Sequence, residues 1–149
     1  MTWWDSYPQR AKSEVRALTA ALPKTPIYTH WRPGSNCAAC RQYGREGSVH
    51  LAVYVRFRTR VGKVYRATMV YPCDFPNRIP AVFSEKDLGS YCIHYFPAQR
   101  ELCLTEDTHN SAITGVDVLK WAKDWFECYD IYLLTGKFPS SNHGRHRIR

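Results

Sequence analysis

Cys103 stands between Leu102 and Leu104, with His94 nine residues before it, Asp107 four residues after it and His109 six residues after it. A thiol, two imidazoles and a carboxylate in one short stretch are the groups that nucleophilic acyl transfer uses, the thiol as nucleophile and the others to position it and move protons. The candidate site is therefore Cys103, His94, Asp107 and His109. A cysteine between two leucines is also commonly an inert small hydrophobe, so the surrounding frame has to decide between the two readings. That frame is rich in proline. In YPCDFPNRIPAVF, residues 71–83, Pro72, Pro76 and Pro80 recur at intervals of four. Proline fixes φ and pushes the preceding residue toward extended geometry, so this stretch belongs neither to a helix interior nor to a central strand. It must leave a sheet, turn and re-enter it.

A second chemical signal is Cys37-Ala38-Ala39-Cys40, with His30 seven residues upstream. Structural zinc takes four ligands, usually as two such pairs, and no second pair exists; Cys73 and Cys92 would complete a site only if the fold brought them close. The motif does not open a helix after a strand, as a redox dithiol would. Ordinary loop thiols, no metal and no cofactor are the expectation.

The elements that must position Cys103 follow from periodicity. Ala11, Val15, Leu18 and Leu22 repeat at helical spacing between Pro8 and Pro23, which predicts an amphipathic opening helix, with Trp3 and Trp4 stapling its entry. Residues 26–31 read as a short first strand and the glycine-rich stretch after it as a loop. Val49, Leu51, Val53, Val55 and Phe57 alternate with His50, Tyr54, Arg56, Arg58 and Arg60, which predicts a half-buried antiparallel strand with a basic outer face. Val61-Gly62 turns the chain into a partner strand over 63–71. A last helix is predicted over 114–134, capped by Thr114 with Asp117 three residues on and stopped by Gly136 and Pro139. Val118, Ala122, Trp125, Tyr129 and Tyr132 form its apolar stripe.

The chain of 149 residues is long enough for one core and too short for two, so residues 1–138 read as one domain and 139–149 as a basic flexible tail. No apolar run spans a bilayer and the amino terminus has no apolar leader, which gives a cytoplasmic protein with reduced thiols as the expectation and no membrane partner. The net charge of +8 is uneven. Residues 1–84 hold 13 Lys/Arg against 4 Asp/Glu, a balance of +9, whereas residues 85–138 balance at −4 and the tail at +3. Such asymmetry admits an acidic partner. Arginines on the wet face of a meander ordinarily serve solubility, and without an interleaved aromatic platform nucleic acid is not the expected partner.

The proline run and the cysteine segment together resemble the ubiquitin-conjugating enzyme family. Tyr71, Pro72, Phe75, Pro76, Pro80 and Val82 fall on the family's proline-rich strand exit, and Leu102-Cys103-Leu104 stands where the family keeps its catalytic cysteine. Ile79 replaces one of its paired prolines, and Tyr95 and Phe96 follow His94 where the family has Pro and Asn. The resemblance implies an α+β, UBC-like fold: an N-terminal helix, an antiparallel four-stranded meander, an active-site loop segment and a C-terminal helix. It implies that Cys103 carries a small ubiquitin-like modifier as a thioester, received with an activating enzyme and passed to a protein target. With the asparagine missing, backbone amides near Cys103, His94, Thr105, His109 or Asn110 are candidates for stabilising the oxyanion, and Glu106 or Asp107 for easing deprotonation of an incoming amine. Divergent bacterial relatives in antiphage (CBASS) and related conjugation operons share such departures, and there a cGAS-like nucleotidyltransferase is the implied partner. The alternative is a catalytically silent relative that uses the same fold to bind a protein; a basic zinc or nucleic-acid-binding domain is a further one.

Overall fold

A computed structural model describes residues 3–25, 27–29, 51–72, 74–89 and 94–139. The element order is α1 (Trp3–Ser6), α2 (Pro8–Ala21), β1 (Ile27–Thr29), β2 (Leu51–Arg58), β3 (Val64–Val70), β4 (Ala81–Ser84), β5 (Tyr95–Phe96), β6 (Glu101–Leu102) and α3 (Gly115–Thr135). The opening helix, the antiparallel sheet and the closing helix agree with the predicted α+β order. Residues 26, 30–31, 49–50 and 140–149 lie outside the described residues, as do Cys37, Cys40, Cys73, Cys92 and His30 of the thiol motif.

The strand count differs from expectation. Instead of a four-stranded meander the sheet has six strands in the order β1-β2-β3-β4-β6-β5, all neighbours antiparallel. The additional pair comes from the stretch expected to be an active-site loop, which folds into a short hairpin and inserts β6 beside β4. Its four-residue connection places Arg100 in the left-handed region, φ 59. Glycine usually marks such a position, and its absence hides the hairpin in the sequence.

The alternating stretch of β2 buries Leu51, Val53, Val55 and Phe57 and exposes Tyr54, Arg56 and Arg58. Its inward residues meet Val82 and Leu102 from the sheet, Leu104 just after β6, and Val118, Ala122, Trp125 and Phe126 from α3 in one apolar cluster, which Trp3, Ala11 and Leu18 join from the first two helices. Tyr65 stacks on Phe126 at 4.6 Å between ring centroids and 10° between planes, locking β3 to the middle of α3. Trp4 is only partly buried and packs against this cluster, while Trp3 is inside it.

α3 has both predicted ends. Thr114 accepts the amide of Asp117, whose carboxylate accepts the amide of Thr114, so two of the helix's orphan donors are satisfied reciprocally. Gly136 closes the helix in the left-handed conformation, φ 77, with its amide on the Tyr132 carbonyl. Among the described residues no helix is long and apolar enough to cross a membrane.

Candidate active site

The nine-residue spacing between His94 and Cys103 is a hairpin register. Tyr95 pairs with Leu102 and Phe96 with Glu101; one rung further, the Cys103 amide donates to the His94 carbonyl at 3.0 Å. The same carbonyl accepts the indole N–H of Trp125 at 2.9 Å. Trp125 is fully buried in α3, so the backbone opposite the cysteine is fixed from the core side. Strand alternation then sets the faces: Leu102 and Leu104 enter the core, and Glu101 and Cys103 sit half-buried on the other side.

His94 contributes through its backbone. It is 4% exposed, packs against Phe138 at 4.7 Å, and among the described residues its Nδ1 has no hydrogen-bond partner. Burial lowers its pKa, which keeps the imidazole neutral. The charged groups that act on the thiol are instead Glu101 and Glu106. Burial first, and these two carboxylates second, push the Cys103 thiol up to about 11. Glu101 is itself raised by burial, an effect that Arg78 opposes. Sequence reasoning missed Glu101, although a residue two before a cysteine on a strand shares its face.

Asp107 and His109 are brought into the following loop rather than onto the thiol. Thr105 Oγ1 accepts the Asp107 amide at 3.1 Å, Asp107 Oδ2 accepts from Asn110 Nδ2 at 3.1 Å, and Asn110 Oδ1 accepts the Ala112 amide at 3.0 Å. His109 is exposed, with Nδ1 3.1 Å from Thr108 Oγ1. Among the described residues no hydrogen bond joins Asp107, His109 or Asn110 to Cys103. The loop is nevertheless held at both ends. The Ile79 amide of the proline-rich exit donates to the Thr108 carbonyl at 2.9 Å, and Arg10 of α2 donates to the carbonyls of Ser111 at 2.7 Å and Ile113 at 2.9 Å.

Chemically, this is a thiol on a fixed backbone, half open to solvent, in acidic surroundings. Cys128, the other free cysteine among the described residues, is also raised to about 11 but lies 1% exposed inside α3's buried face, where no substrate reaches it. Among the described residues no group of three or more His, Cys, Asp or Glu side chains is arranged to hold a metal ion. No family model, no curated protein and no solved structure matches the chain.

Proposed function

We propose that the protein is a conjugating-type thiol carrier in which Cys103 takes a small protein modifier as a thioester and passes it to an amine on a protein target. The observation that carries this reading is the setting of Cys103: half-exposed, fixed by backbone opposite His94, joined through the Thr108–Ile79 hydrogen bond to the proline-rich exit, and raised to about 11.

The high thiol pKa suits a carrier. At neutral pH roughly one thiol in 10⁴ is ionised, which protects the resting protein from stray electrophiles. In exchange between two thiols the lower-pKa thiolate leaves more readily, so an acyl group passes downhill from an ordinary donor thiol to Cys103. The desolvation that penalises the thiolate does not penalise a neutral thioester. Transfer then needs an amine to lose its proton: Glu101 and Glu106 attract the incoming ammonium, a carboxylate or water takes its proton as the nitrogen attacks the thioester carbonyl, and the C–S bond breaks with the Cys103 thiolate leaving and taking up a proton. The amides of Leu104 and Thr105 are the next N–H groups along the segment and serve as candidate oxyanion donors. The pathway proposed with this chemistry is bacterial antiphage conjugation, with a nucleotidyltransferase as partner.

A silent protein-binding scaffold is the second reading, and one observation favours it: among the described residues no imidazole acts on the Cys103 thiol, and both charges that do are negative. A trapping experiment separates the two. Incubated with an activated modifier and its activating enzyme, the protein is expected to form an adduct on a non-reducing gel that thiol reagents release and that Cys103→Ala lacks while Cys128→Ala retains it. An adduct persisting in Cys103→Ala removes the carrier assignment; no adduct with a modifier that loads other carriers supports the scaffold.

A further inference from the structure

Strand β3 extends past the end of its neighbour β4. Successive residues of a strand turn their backbone N–H and C=O to opposite edges. The Thr59 amide on the Lys63 carbonyl at 2.9 Å and the Tyr71 amide on the Leu51 carbonyl at 2.8 Å set the odd-numbered residues toward β2, so Val64 and Arg66 face the β4 edge. There the paired rungs run from Val70 to Ala67. The next rung is half made. The Arg66 carbonyl accepts the Glu85 amide at 2.9 Å, but the Glu85 carbonyl accepts from the Arg100 guanidinium at 2.7 Å. Among the described residues the Arg66 amide makes no return bond, and neither the amide nor the carbonyl of Val64 has a hydrogen-bond partner. β3 therefore begins with a short open edge that offers N–H donors at Val64 and Arg66 and an acceptor at Val64.

A cavity of about 430 Å³ lies along this edge, between β3, the segment after β4 and the second half of α3. Ligand sites take about 300–1,000 Å³. On the core side its wall is Leu88, Tyr129 and Leu133, with the Tyr129 hydroxyl donating to the Leu88 carbonyl at 3.4 Å. Lys63, Arg66 and Lys86 also line it, and none of them forms an ion pair among the described residues. Two carboxylates are present, Glu85 and Asp87, of which Asp87 accepts the Gly89 amide at 2.9 Å.

We infer that this edge binds an extended peptide of a partner protein as a short antiparallel strand beside Val64, with apolar side chains turned into the cavity and acidic ones turned outward beside Arg66. Strand addition draws affinity from main-chain hydrogen bonds and specificity from alternate side chains. The peptide residue opposite Val64 exchanges both bonds with it. Its side chain lies on the outer face with those of Val64 and Arg66, because Tyr65 between them stacks inward on Phe126 of α3. The residues on either side of it then point inward, toward Leu88, Tyr129 and Leu133. A small anion would meet the three cations but leave the edge and the apolar wall unused. A second copy of β3 would bring its own Lys63 and Arg66 to the same cations, which like charge disfavours. The wall of the cavity is tied to the hairpin that carries Cys103: the Leu88 amide donates to the Tyr95 hydroxyl at 3.4 Å and the Ser84 amide to the Arg100 carbonyl at 2.8 Å. The peptide thus binds next to that hairpin, but its binding uses no thiol chemistry.

The test uses the full chain and a labelled, end-blocked hexapeptide in which glutamate alternates with leucine, with affinity read by fluorescence anisotropy and amide exchange by NMR. The peptide is expected to bind and to slow exchange of the Val64 and Arg66 amides. N-methylation of its glutamates, whose amides face β3, is expected to abolish binding, and N-methylation of its leucines to leave it. Val64→Pro removes a donor that β2 does not use and is expected to weaken binding about ten-fold. Leu133→Glu is expected to weaken it as well, whereas Ile131→Glu, exposed on α3 outside the cavity, and Cys103→Ala are expected to bind like the parent. Failure of the carrier reading therefore leaves this result standing. The inference is overturned if the hexapeptide does not bind, if both N-methylated forms behave alike, or if Ile131→Glu weakens binding as much as Leu133→Glu. Tighter binding of a lysine–leucine hexapeptide overturns the acidic partner. Dimerisation of the protein alone that Val64→Pro removes, seen by sedimentation, assigns the edge to a second copy instead. Circular dichroism melts of each variant identify any loss due to unfolding, and the two N-methylated peptides, used with the unaltered protein, keep the test independent of such loss.

Discussion

The Tyr71 hydroxyl donates a 2.5 Å hydrogen bond to Glu14 Oε1, the same oxygen that accepts the Gly115 amide at 2.8 Å. Arg10 Nε reaches the other carboxylate oxygen at 3.1 Å. One carboxylate, 2% exposed, thus joins α2, the exit of β3 and the first residue of α3. The Tyr71 ring stacks on Trp3 at 5.7 Å and meets Phe75 edge-on at 4.7 Å, and the Arg10 guanidinium lies 4.9 Å over Phe75. Arg10 is also the residue that holds the carbonyls of Ser111 and Ile113. The aromatic residues of the proline-rich exit and the loop after Cys103 therefore share one buried anchor.

Gly115→Ala is expected to be the most damaging small substitution at this anchor. A Cβ there would lie 1.8 Å from the Tyr71 hydroxyl and 3.2 Å from Glu14 Oε1, so the network has to open. Tyr71→Phe removes one donor and leaves a buried carboxylate short of a partner, which costs about 1–3 kcal/mol. Urea unfolding should rank Gly115→Ala above Tyr71→Phe. Gly62→Ala is the control: among the described residues its Cβ meets nothing within 4 Å, and its cost is backbone strain at φ +86, about 1–2 kcal/mol.

Thr114→Ala should cost about 1 kcal/mol by removing the cap of α3. Asp117→Asn should cost less, because the Thr114 hydroxyl still accepts the Asp117 backbone amide. Equal losses in thermal unfolding would mean that the return bond from the Asp117 carboxylate carries the cap.

His94 gives the fold an acid-side pH dependence. Its pKa is lowered from 6.5 by burial, so the unfolded chain binds a proton below that value while the folded chain does not. Stability is therefore complete above about pH 6.5 and falls as pH drops below it. His94→Phe, which keeps an aromatic ring against Phe138, should remove that part of the slope when unfolding free energies at pH 5 and 7.5 are compared. An unchanged slope would place the proton uptake elsewhere.

The sequence made legible what rests on local rules. Pro8 and the spacing of Ala11 and Leu18 mark α2, the Thr114–Asp117 pair and Gly136 mark α3, and Leu51 to Phe57 mark the buried side of β2. Glu14 was not legible. The predicted stripe of α2 included Val15, which is only partly buried, while Glu14 beside it is buried with Ala11 and Leu18. A carboxylate enters a core only with partners, and besides Arg10 on the same helix these lie 57 and 101 residues away in Tyr71 and Gly115. The site shows the same division. The spacing of His94 and Cys103 was visible, but its cause, a hairpin register without glycine at Arg100, was not. The charges that act on the thiol, Glu101 and Glu106, are local in sequence, whereas the pairing of β6 with β4 is long-range and no local pattern encodes it.

Titration of Cys103 tests the site's electrostatics directly. Alkylation by iodoacetamide, followed at this residue by peptide mass spectrometry, should keep accelerating with pH to about 11 rather than level off near the ordinary thiol value of 9. Removing a neighbouring negative charge lowers the cost of the thiolate, so Glu101→Gln and Glu106→Gln should each move the midpoint down. Neither should restore the ordinary value, because burial is the larger cause. Trp125→Phe separates the two contributions. It leaves both carboxylates in place but removes the indole N–H that braces the His94 carbonyl, so the hairpin loosens, water reaches the thiol, and the midpoint should fall without any change in charge. A midpoint that responds to the carboxylates but not to Trp125→Phe would show that the hairpin backbone does not govern burial of the thiol. The carrier reading would then lose the desolvation that favours a neutral thioester over a thiolate at Cys103.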